Sequence, residues 1–221
     1  MWLRAGMAMV FDLDGVIVNS NPLHTKAWIL YNRGFGINVG DTLVERMYGR
    51  RNDEIVRDFF GADLSAEEVA AHGAAKERLY RELLKPVLAE ALVPGVREFL
   101  GDHDGQPIGL ATNAETANVD FILDGSGLRR YFRVIVDGHQ VRNAKPHPEI
   151  YLRAAELLST KPCNCIVFED SFSGIEAARA AGMRVVGLQT THDKLPGVDL
   201  AVVDFHSTSL EPWMKAQTAA T

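Results

Sequence analysis

Two aspartates, Asp12 and Asp14, follow an apolar run at residues 8–11, and a glycine comes directly after them. A run that is apolar on both faces is typical of a buried parallel strand, whose C-terminal end borders a polar site. Side chains at i and i+2 share one face of a strand, so the two carboxylates would repel each other without a cation or a shared proton between them. Gly15 permits a sharp turn and a close approach to a ligand. The pattern favours a nucleophilic aspartate, a second aspartate that exchanges protons, and a hard divalent cation, although an ordinary acidic turn is the alternative for this segment alone.

Three later apolar runs also end in polar residues, namely Thr112 with Asn113, the segment before Lys145, and Glu169 with Asp170. The carboxyl ends of parallel strands meet at one edge of a sheet, so these groups are expected to converge with the two aspartates. Carboxylates, a hydroxyl, backbone N–H groups and a lysine together suit a Mg²⁺ ion and a phosphoryl group. Each group has a plainer alternative by itself: a helix N-cap for Thr112 and for Glu169–Asp170, and a solvated loop residue for Lys145.

The elements that must position these residues fall into two patterns. From residue 93 onward short apolar runs alternate with helical periodicity, which predicts a mostly parallel sheet covered by helices on both faces. Residues 23–90 show helical signals alone, including Ser65 and Glu68 at capping-box spacing. The predicted fold is therefore α/β, a Rossmann-like core of residues 1–22 and 91–221 with an inserted α-helical lid at 23–90. The polar tail at 211–221 is expected to be loose.

Composition excludes several classes of function. The chain has 221 residues, of which 47% are hydrophobic and 24% charged, as in ordinary soluble proteins. A formal charge of -6 gives no support for a nucleic-acid partner, and no apolar stretch reaches the ~20 residues of a membrane span. Cys163 and Cys165 are too few for a structural zinc site. A cytoplasmic protein, monomeric or weakly homo-oligomeric, is expected.

The four strand-end motifs resemble, in order and spacing, the four motifs of the haloacid dehalogenase superfamily. The segments that carry the resemblance are Phe11-Asp12-Leu13-Asp14-Gly15-Val16, Thr112, Lys145-Pro146-His147-Pro148 and Glu169-Asp170-Ser171. The likeness is to the branch of phosphatases and β-phosphoglucomutases that carries an α-helical cap.

The resemblance implies a role for each of these positions. It implies that Asp12 is the nucleophile that forms an aspartyl-phosphate, that Asp14 is the general acid and base, and that Lys145 stabilises the transferring phosphoryl group. Thr112 and Asn113 would bind substrate. A Mg²⁺ cofactor would be held by Asp12, the backbone carbonyl of Asp14, Asp170, and Glu169 directly or through water.

The lid carries a second set of candidate substrate residues. His24 resembles the hinge segment of β-phosphoglucomutases, and Lys76 resembles a cap lysine that reaches substrate there. Without the family, His24 is interpreted as a packed helix-start residue and Lys76 as an exposed helix lysine. The cap substrate loop corresponds to Arg50, Arg51 and Asn52. The phosphate-binding arginine of the mutases would fall near Asn52, so Arg50 or Arg51 would have to substitute for it.

Asp14 narrows the predicted reaction. The dehalogenases and phosphonate hydrolases of the superfamily lack this acid, whereas ester hydrolysis needs a group that protonates an alkoxide and then deprotonates water. The sequence therefore predicts a Mg²⁺-dependent phosphatase that hydrolyses a small phosphorylated metabolite, with a sugar phosphate favoured. A β-phosphoglucomutase-type phosphomutase is the close alternative, since lid closure that excludes water is not visible in a sequence. A non-catalytic sensor of phosphorylated ligands is the third, and the complete set of motif residues is evidence against it.

Overall fold

The core of the protein is one parallel sheet. The computed structural model describes residues 6–40 and 50–219. Six strands lie in the order β3-β2-β1-β4-β5-β6, and every neighbouring pair is parallel. The strands are β1 (Ala8–Phe11), β2 (Ile108–Ala111), β3 (Val134–Val136), β4 (Cys165–Glu169), β5 (Arg184–Leu188) and β6 (Leu200–Val202).

Helices connect these strands and form the inserted segment. The helices in the described ranges are α1 (Asn21–Arg33), α2 (Asn52–Phe60), α3 (Ala66–Leu84), α4 (Val96–Asp102), α5 (Thr116–Ser126), α6 (Glu149–Leu157), α7 (Phe172–Ala180) and α8 (Leu210–Ala219). Short 3₁₀ turns lie at Lys85–Val87, Arg129–Tyr131 and Pro162–Asn164. Residues 41–49, a part of the predicted helical lid, fall outside the described residues.

Strand β1 lies in the middle of the sheet, and its alternating side chains supply both hydrophobic layers. Met9 and Phe11 belong to one buried cluster, in which Phe11 stacks on Phe168 with ring centroids 4.4 Å apart. Ala8 and Val10 belong to the buried cluster on the opposite face. Burial on both faces explains why the strand is uninterruptedly apolar. The next residue in the chain, Asp12, is the first that can present a charge at the sheet edge.

The inserted helices α1–α3 pack together around a small core of their own. Its buried members include Trp28, Ile55 and Val69. Helix α3 begins with the predicted capping box, because Ser65 and Glu68 each accept a hydrogen bond from the other's backbone N–H. The sheet and this insertion confirm the predicted α/β class with an α-helical cap. The division at 1–22, 23–90 and 91–221 stays a prediction.

The expectation of a loose C-terminal tail is wrong. Residues 210–219 form helix α8, in which Leu210 and Met214 are buried and Trp213 packs partly against the same cluster. These three apolar residues share one helix face at i, i+3 and i+4, and the free energy of burying that face offsets the cost of ordering polar neighbours.

No helix in the described part of the chain combines the length and apolar character that crossing a bilayer requires.

Candidate active site

The four predicted strand ends meet at one cavity between the sheet and the cap. Its wall includes Asp12 and Asp14 after β1, Thr112 and Asn113 after β2, Lys145 after β3, Asp170 and Ser171 after β4, and, from the cap, His24, Trp28, Arg50, Asn52, Ile55, Lys76 and Glu77. Out to its mouth the space between these walls is about 800 Å³. An open cavity on which polar side chains converge is typical of a small-molecule site.

Asp12 and Lys145 form a buried ion pair at the floor of the cavity. Lys145 Nζ donates to Asp12 Oδ1 at 2.8 Å and to Glu169 Oε1 at 2.7 Å. Burial raises the pKa of Asp12 to about 7, although Lys145 opposes the change and Glu169 adds to it. Burial would lower the pKa of Lys145, but the two carboxylates bring it to about 12. The lysine therefore stays cationic beside the carboxylate that points into the cavity.

Glu169 bonds Lys145 but does not line the cavity. Its Oε1 also accepts from the Tyr151 hydroxyl at 2.7 Å, and its Oε2 accepts from the backbone N–H groups of Asp170 and Ser171. Burial would raise the pKa of Glu169, and Lys145 with these hydrogen bonds holds it below the ordinary value. With its oxygens so occupied, Glu169 is suited to reach a metal through water and to fix the position of Lys145.

Asp170 completes a group of three buried carboxylates. Its Oδ2 accepts from Asn21 Nδ2 at 3.3 Å and from the Thr191 hydroxyl. Burial, together with the charges of Glu169 and Asp12, raises the pKa of Asp170 well above its ordinary value. Gly15, at φ +73°, allows this arrangement, because a Cβ there would overlap the Asp170 carboxylate.

These carboxylates fit a divalent cation. Asp12, Glu169 and Asp170 each offer an oxygen, and the three oxygens lie within 4.8 Å of one another. Three acids against the single charge of Lys145 leave an excess of negative charge in a buried place, which the raised pKa values of Asp12 and Asp170 reflect. Oxygen donors of this kind are the ligands of Mg²⁺.

The Asp14 side chain turns away from this group toward the cap. Its Oδ1 accepts from Ser20 Oγ at 2.5 Å and lies 3.4 Å from His24 Nε2. Burial would raise the pKa of Asp14, but the hydrogen bonds to His24 and Ser20 keep it below the ordinary value. The two aspartates of the motif thus occupy different environments, in which the pKa of Asp12 is raised and that of Asp14 is lowered. A metal contact by Asp14 stays a prediction, and the sequence resemblance assigns it to the backbone carbonyl.

Lys76 is buried, which the interpretation as an exposed helix lysine did not anticipate. Its side chain is 1% exposed and lies over the Trp28 ring. Lys76 Nζ donates to His24 Nδ1 at 2.8 Å and to Glu77 Oε1 at 2.7 Å, and the His24 ring stacks on Tyr80. Donation to Nδ1 leaves Nε2 of His24 to face Asp14 with its proton. A continuous polar chain therefore runs from the cap helix α3 to Asp14.

Of the three residues predicted for the cap substrate loop, two line the cavity and one does not. Arg50 lines it, but its guanidinium bonds Glu54 at 3.2 Å and Asp58 at 2.9 Å. Asn52 lines it as well and donates to Glu77 Oε1 at 2.6 Å. Arg51 is absent from the cavity wall, and its guanidinium lies 3.7 Å from Asp53. The adjacent arginines point apart because the chain is extended at Arg51, where α2 begins.

The β2 end supplies a hydroxyl and an amide. Thr112 is buried, and its Oγ1 accepts from the Ala114 N–H at 3.2 Å. Asn113 Oδ1 accepts from the Lys145 N–H at 3.3 Å, which ties the β2 and β3 ends together. Both residues line the cavity where the sequence predicts substrate contacts.

Sequence reasoning missed a group of residues where α3 of the cap meets α5 of the core. Asn118 Nδ2 donates to Glu77 Oε2 at 2.8 Å, and Asn118 Oδ1 accepts from Arg81 at 2.7 Å. Arg81 also bonds Glu115 Oε1 at 2.5 Å. One sequence signal could have indicated these residues. Glu77 follows Lys76 and is spaced i, i+4 from Arg81, so the same helix carries two further charges.

Comparison with known proteins finds relatives over most of the chain. Residues 7–182 match the family model described as haloacid dehalogenase-like hydrolase. A phosphorylated carbohydrates phosphatase from Thermotoga maritima is 36% identical over 188 residues, which span 82% of this chain and 84% of that protein. A beta-phosphoglucomutase from Bacillus subtilis is 30% identical over 209 residues, or 92% of each chain. The crystal structure of a beta-phosphoglucomutase from Clostridium difficile has a TM-score of 0.83 at 27% identity and covers 96% of this chain and 98% of its own.

Proposed function

The chain belongs to the haloacid dehalogenase-like hydrolase family, as its motifs predict, and on that premise we propose that it is a Mg²⁺-dependent phosphatase of small phosphorylated metabolites. A sugar phosphate is the favoured substrate. The observation that carries the proposal is the pairing of Asp12 with Lys145, 2.8 Å apart on the floor of a cavity that Asp14 also lines. A cytoplasmic location and a monomeric or weakly oligomeric state remain predictions.

In the first step Asp12 attacks the phosphorus of the bound ester. The bond from the Asp12 carboxylate to phosphorus forms while the bond from phosphorus to the alcohol oxygen breaks. Asp14 gives its proton to the departing oxygen, and a phosphoryl dianion beside Asp14 favours the protonated form that this step needs. Lys145 remains next to the reacting carboxylate and offsets charge on the phosphoryl oxygens.

In the second step water attacks the phosphorus of the aspartyl-phosphate. Asp14 takes the proton of this water, inorganic phosphate leaves, and both aspartates return to their starting states. Thr112 and the neighbouring backbone N–H groups are proposed to hold the phosphoryl oxygens. Asp12 and Asp170 would hold Mg²⁺, with Glu169 behind them, and the ion when bound offsets the negative charge gathered at this place.

A second candidate function is a β-phosphoglucomutase-type transfer, in which a sugar hydroxyl takes the place of water. The likeness to the Bacillus subtilis mutase over 92% of both chains favours it. The two reactions share the first step and differ in the acceptor that reaches the aspartyl-phosphate.

Release of free phosphate from a panel of sugar phosphates, two-carbon phosphates and nucleotides, with and without Mg²⁺, tests the proposal. β-Glucose 1-phosphate with a glucose 1,6-bisphosphate primer is assayed in parallel for glucose 6-phosphate. We expect Mg²⁺-dependent phosphate release without isomer formation. Rapid isomer formation with little phosphate released would identify the mutase, and no turnover of any substrate would favour the non-catalytic sensor.

A further inference from the structure

The side of the cavity formed by the cap differs in charge from the floor. We call it the cap end and define it by Arg50, Asn52, Lys76, Glu77, Glu115 and Asn118, all of which line the cavity. Every cation that the described residues place there is already paired with an acid. Lys76 bonds Glu77, Arg50 bonds Glu54 and Asp58, and Arg81 behind the wall bonds Glu115.

Two acids of the cap end face the same cavity as the phosphoryl site. Glu77 is 3% exposed and accepts from Asn52, Lys76 and Asn118. Burial would raise its pKa, but Lys76 and His24 with these hydrogen bonds lower it to about 2, so it carries a charge at neutral pH. Glu115 lines the cavity as well, and its side chain is 23% exposed.

We propose that Glu77 and Glu115 select substrates whose only anionic group is the phosphoryl group that meets Asp12, and exclude substrates with a second phosphate or a carboxylate. This inference rests on the proposed phosphatase function and names its substrate class. A second anion at the cap end would have to break an existing ion pair or lie beside a carboxylate, and either change costs free energy. A neutral hydroxylated body meets no such cost, because hydroxyls donate to carboxylates and accept from the amides of Asn52 and Asn118.

The same charge arrangement bears on the choice between hydrolysis and isomerisation. A mutase that passes through a doubly phosphorylated sugar must hold one phosphate at Asp12 and the other at the far side of the cavity. In the described part of the chain that side offers no cation without an acidic partner. The cap end therefore favours water over a phosphorylated sugar as the acceptor.

The test compares substrates that differ by one anionic group. The Mg²⁺-loaded protein is assayed for kcat/KM on fructose 1-phosphate and glucose 1-phosphate, each against its 1,6-bisphosphate, and on 2-hydroxyethyl phosphate against 2-phosphoglycolate. We expect the member of each pair with one anionic group to be preferred about tenfold or more, since like charges placed together are strongly unfavourable. Glu115→Gln and Glu77→Gln should each reduce that preference, because each removes a negative charge from the cavity wall.

Glu82→Gln is the matched control, because Glu82 is an exposed acid on the same helix as Glu77. A role of Glu77 and Glu115 limited to holding the cap would change activity on both members of a pair equally and leave the preference as in Glu82→Gln, which would overturn the inference. If Glu77→Gln fails to fold, Glu115→Gln decides. If the protein hydrolyses the monophosphates but does not prefer them to the substrates with a second anion, this inference alone is contradicted. If it hydrolyses none of these substrates with Mg²⁺, the proposed function is contradicted.

Discussion

The floor of the cavity and its cap end treat charge in opposite ways. On the floor three buried acids surround Lys145, which bonds Asp12 and Glu169 and is the one cation that the described residues place there. The carboxylates of the floor therefore lack sufficient positive charge. At the cap end Lys76 and Arg81 each have an acid within hydrogen-bonding distance. The floor is thus suited to a cation and a phosphoryl group, whereas the cations described at the cap end already have acidic partners.

The two regions are also assembled from different parts of the sequence. Lys145 and Asp12 are 133 positions apart and meet because β1 and β3 end at the same sheet edge. Lys76 and Glu77 are neighbours in one helix, and Asn118 of α5 donates to Glu77. Substitutions on the floor should therefore lower the rate of the chemical steps. Substitutions at the cap end should change substrate selectivity and the stability of the closed cap.

The largest effect is expected from Asp12→Asn. Loss of the nucleophile should reduce kcat by about four orders of magnitude or more, because an amide cannot form the aspartyl-phosphate. The melting temperature should stay close to that of the parent, since the amide fills the same space. Asp193→Asn, at an exposed position away from the cavity, is the control. Retained turnover in Asp12→Asn would refute the assignment of the nucleophile.

Lys145→Ala comes next. Removing the cation that lies 2.8 Å from Asp12 should lower kcat by about 10² to 10³, the range found for loss of one group that stabilises a transition-state charge. Single-turnover rates at saturating Mg²⁺ and substrate would separate this loss from weaker binding. A decrease of less than about tenfold would contradict the role proposed for Lys145.

Binding of the metal should stabilise the floor by a smaller amount. Saturating Mg²⁺ at about 100 times its dissociation constant is expected to add about 2.7 kcal/mol to the free energy of unfolding, because the ion binds the folded state. Differential scanning calorimetry with and without a chelator measures the shift in melting temperature. Asp170→Asn should remove most of this shift and Asp193→Asn none of it. An equal shift in the two variants would place the ion elsewhere.

The smallest effect is expected at the cap end, in the pH dependence of stability. The folded protein lowers the pKa of Glu77 to about 2 from its ordinary value of 4.5, so the unfolded chain binds more protons between these values. The stabilisation from ionised Glu77 is complete above about pH 4.5 and is lost as the pH falls toward 2. Urea unfolding at about pH 5 and about pH 3 should show a smaller loss of stability in Glu77→Gln than in Glu82→Gln. Equal losses would mean that Glu77 gains nothing from its partners.

The floor could be predicted from the sequence, and much of the cap end could not. The residues after β1, β2, β3 and β4 converge because parallel strands end at a common edge, a rule that needs only the order of elements. No local sequence pattern shows that Lys76 is buried or that Glu77 contacts Asn118, because both depend on how α3 packs against α5.

A choice that the sequence left open and a helix that it missed have the same origin. Arg50 and Arg51 were equivalent candidates until the start of α2 turned Arg51 toward Asp53. Helix α8 was missed because most of its residues are polar. Its apolar face, formed by Leu210, Trp213 and Met214, packs against a surface that forms only when the core folds. Tertiary packing decided both cases against the local pattern.

The most direct test of the central claim is to trap the covalent phosphoryl group. The protein with Mg²⁺ and a hydrolysed sugar phosphate is quenched in acid during the first turnover, digested, and analysed by mass spectrometry. We expect one added phosphoryl group on the peptide that contains Asp12, and none in Asp12→Asn. A phosphoryl group on another residue, or turnover with no covalent phosphoryl group at any quench time, would contradict it.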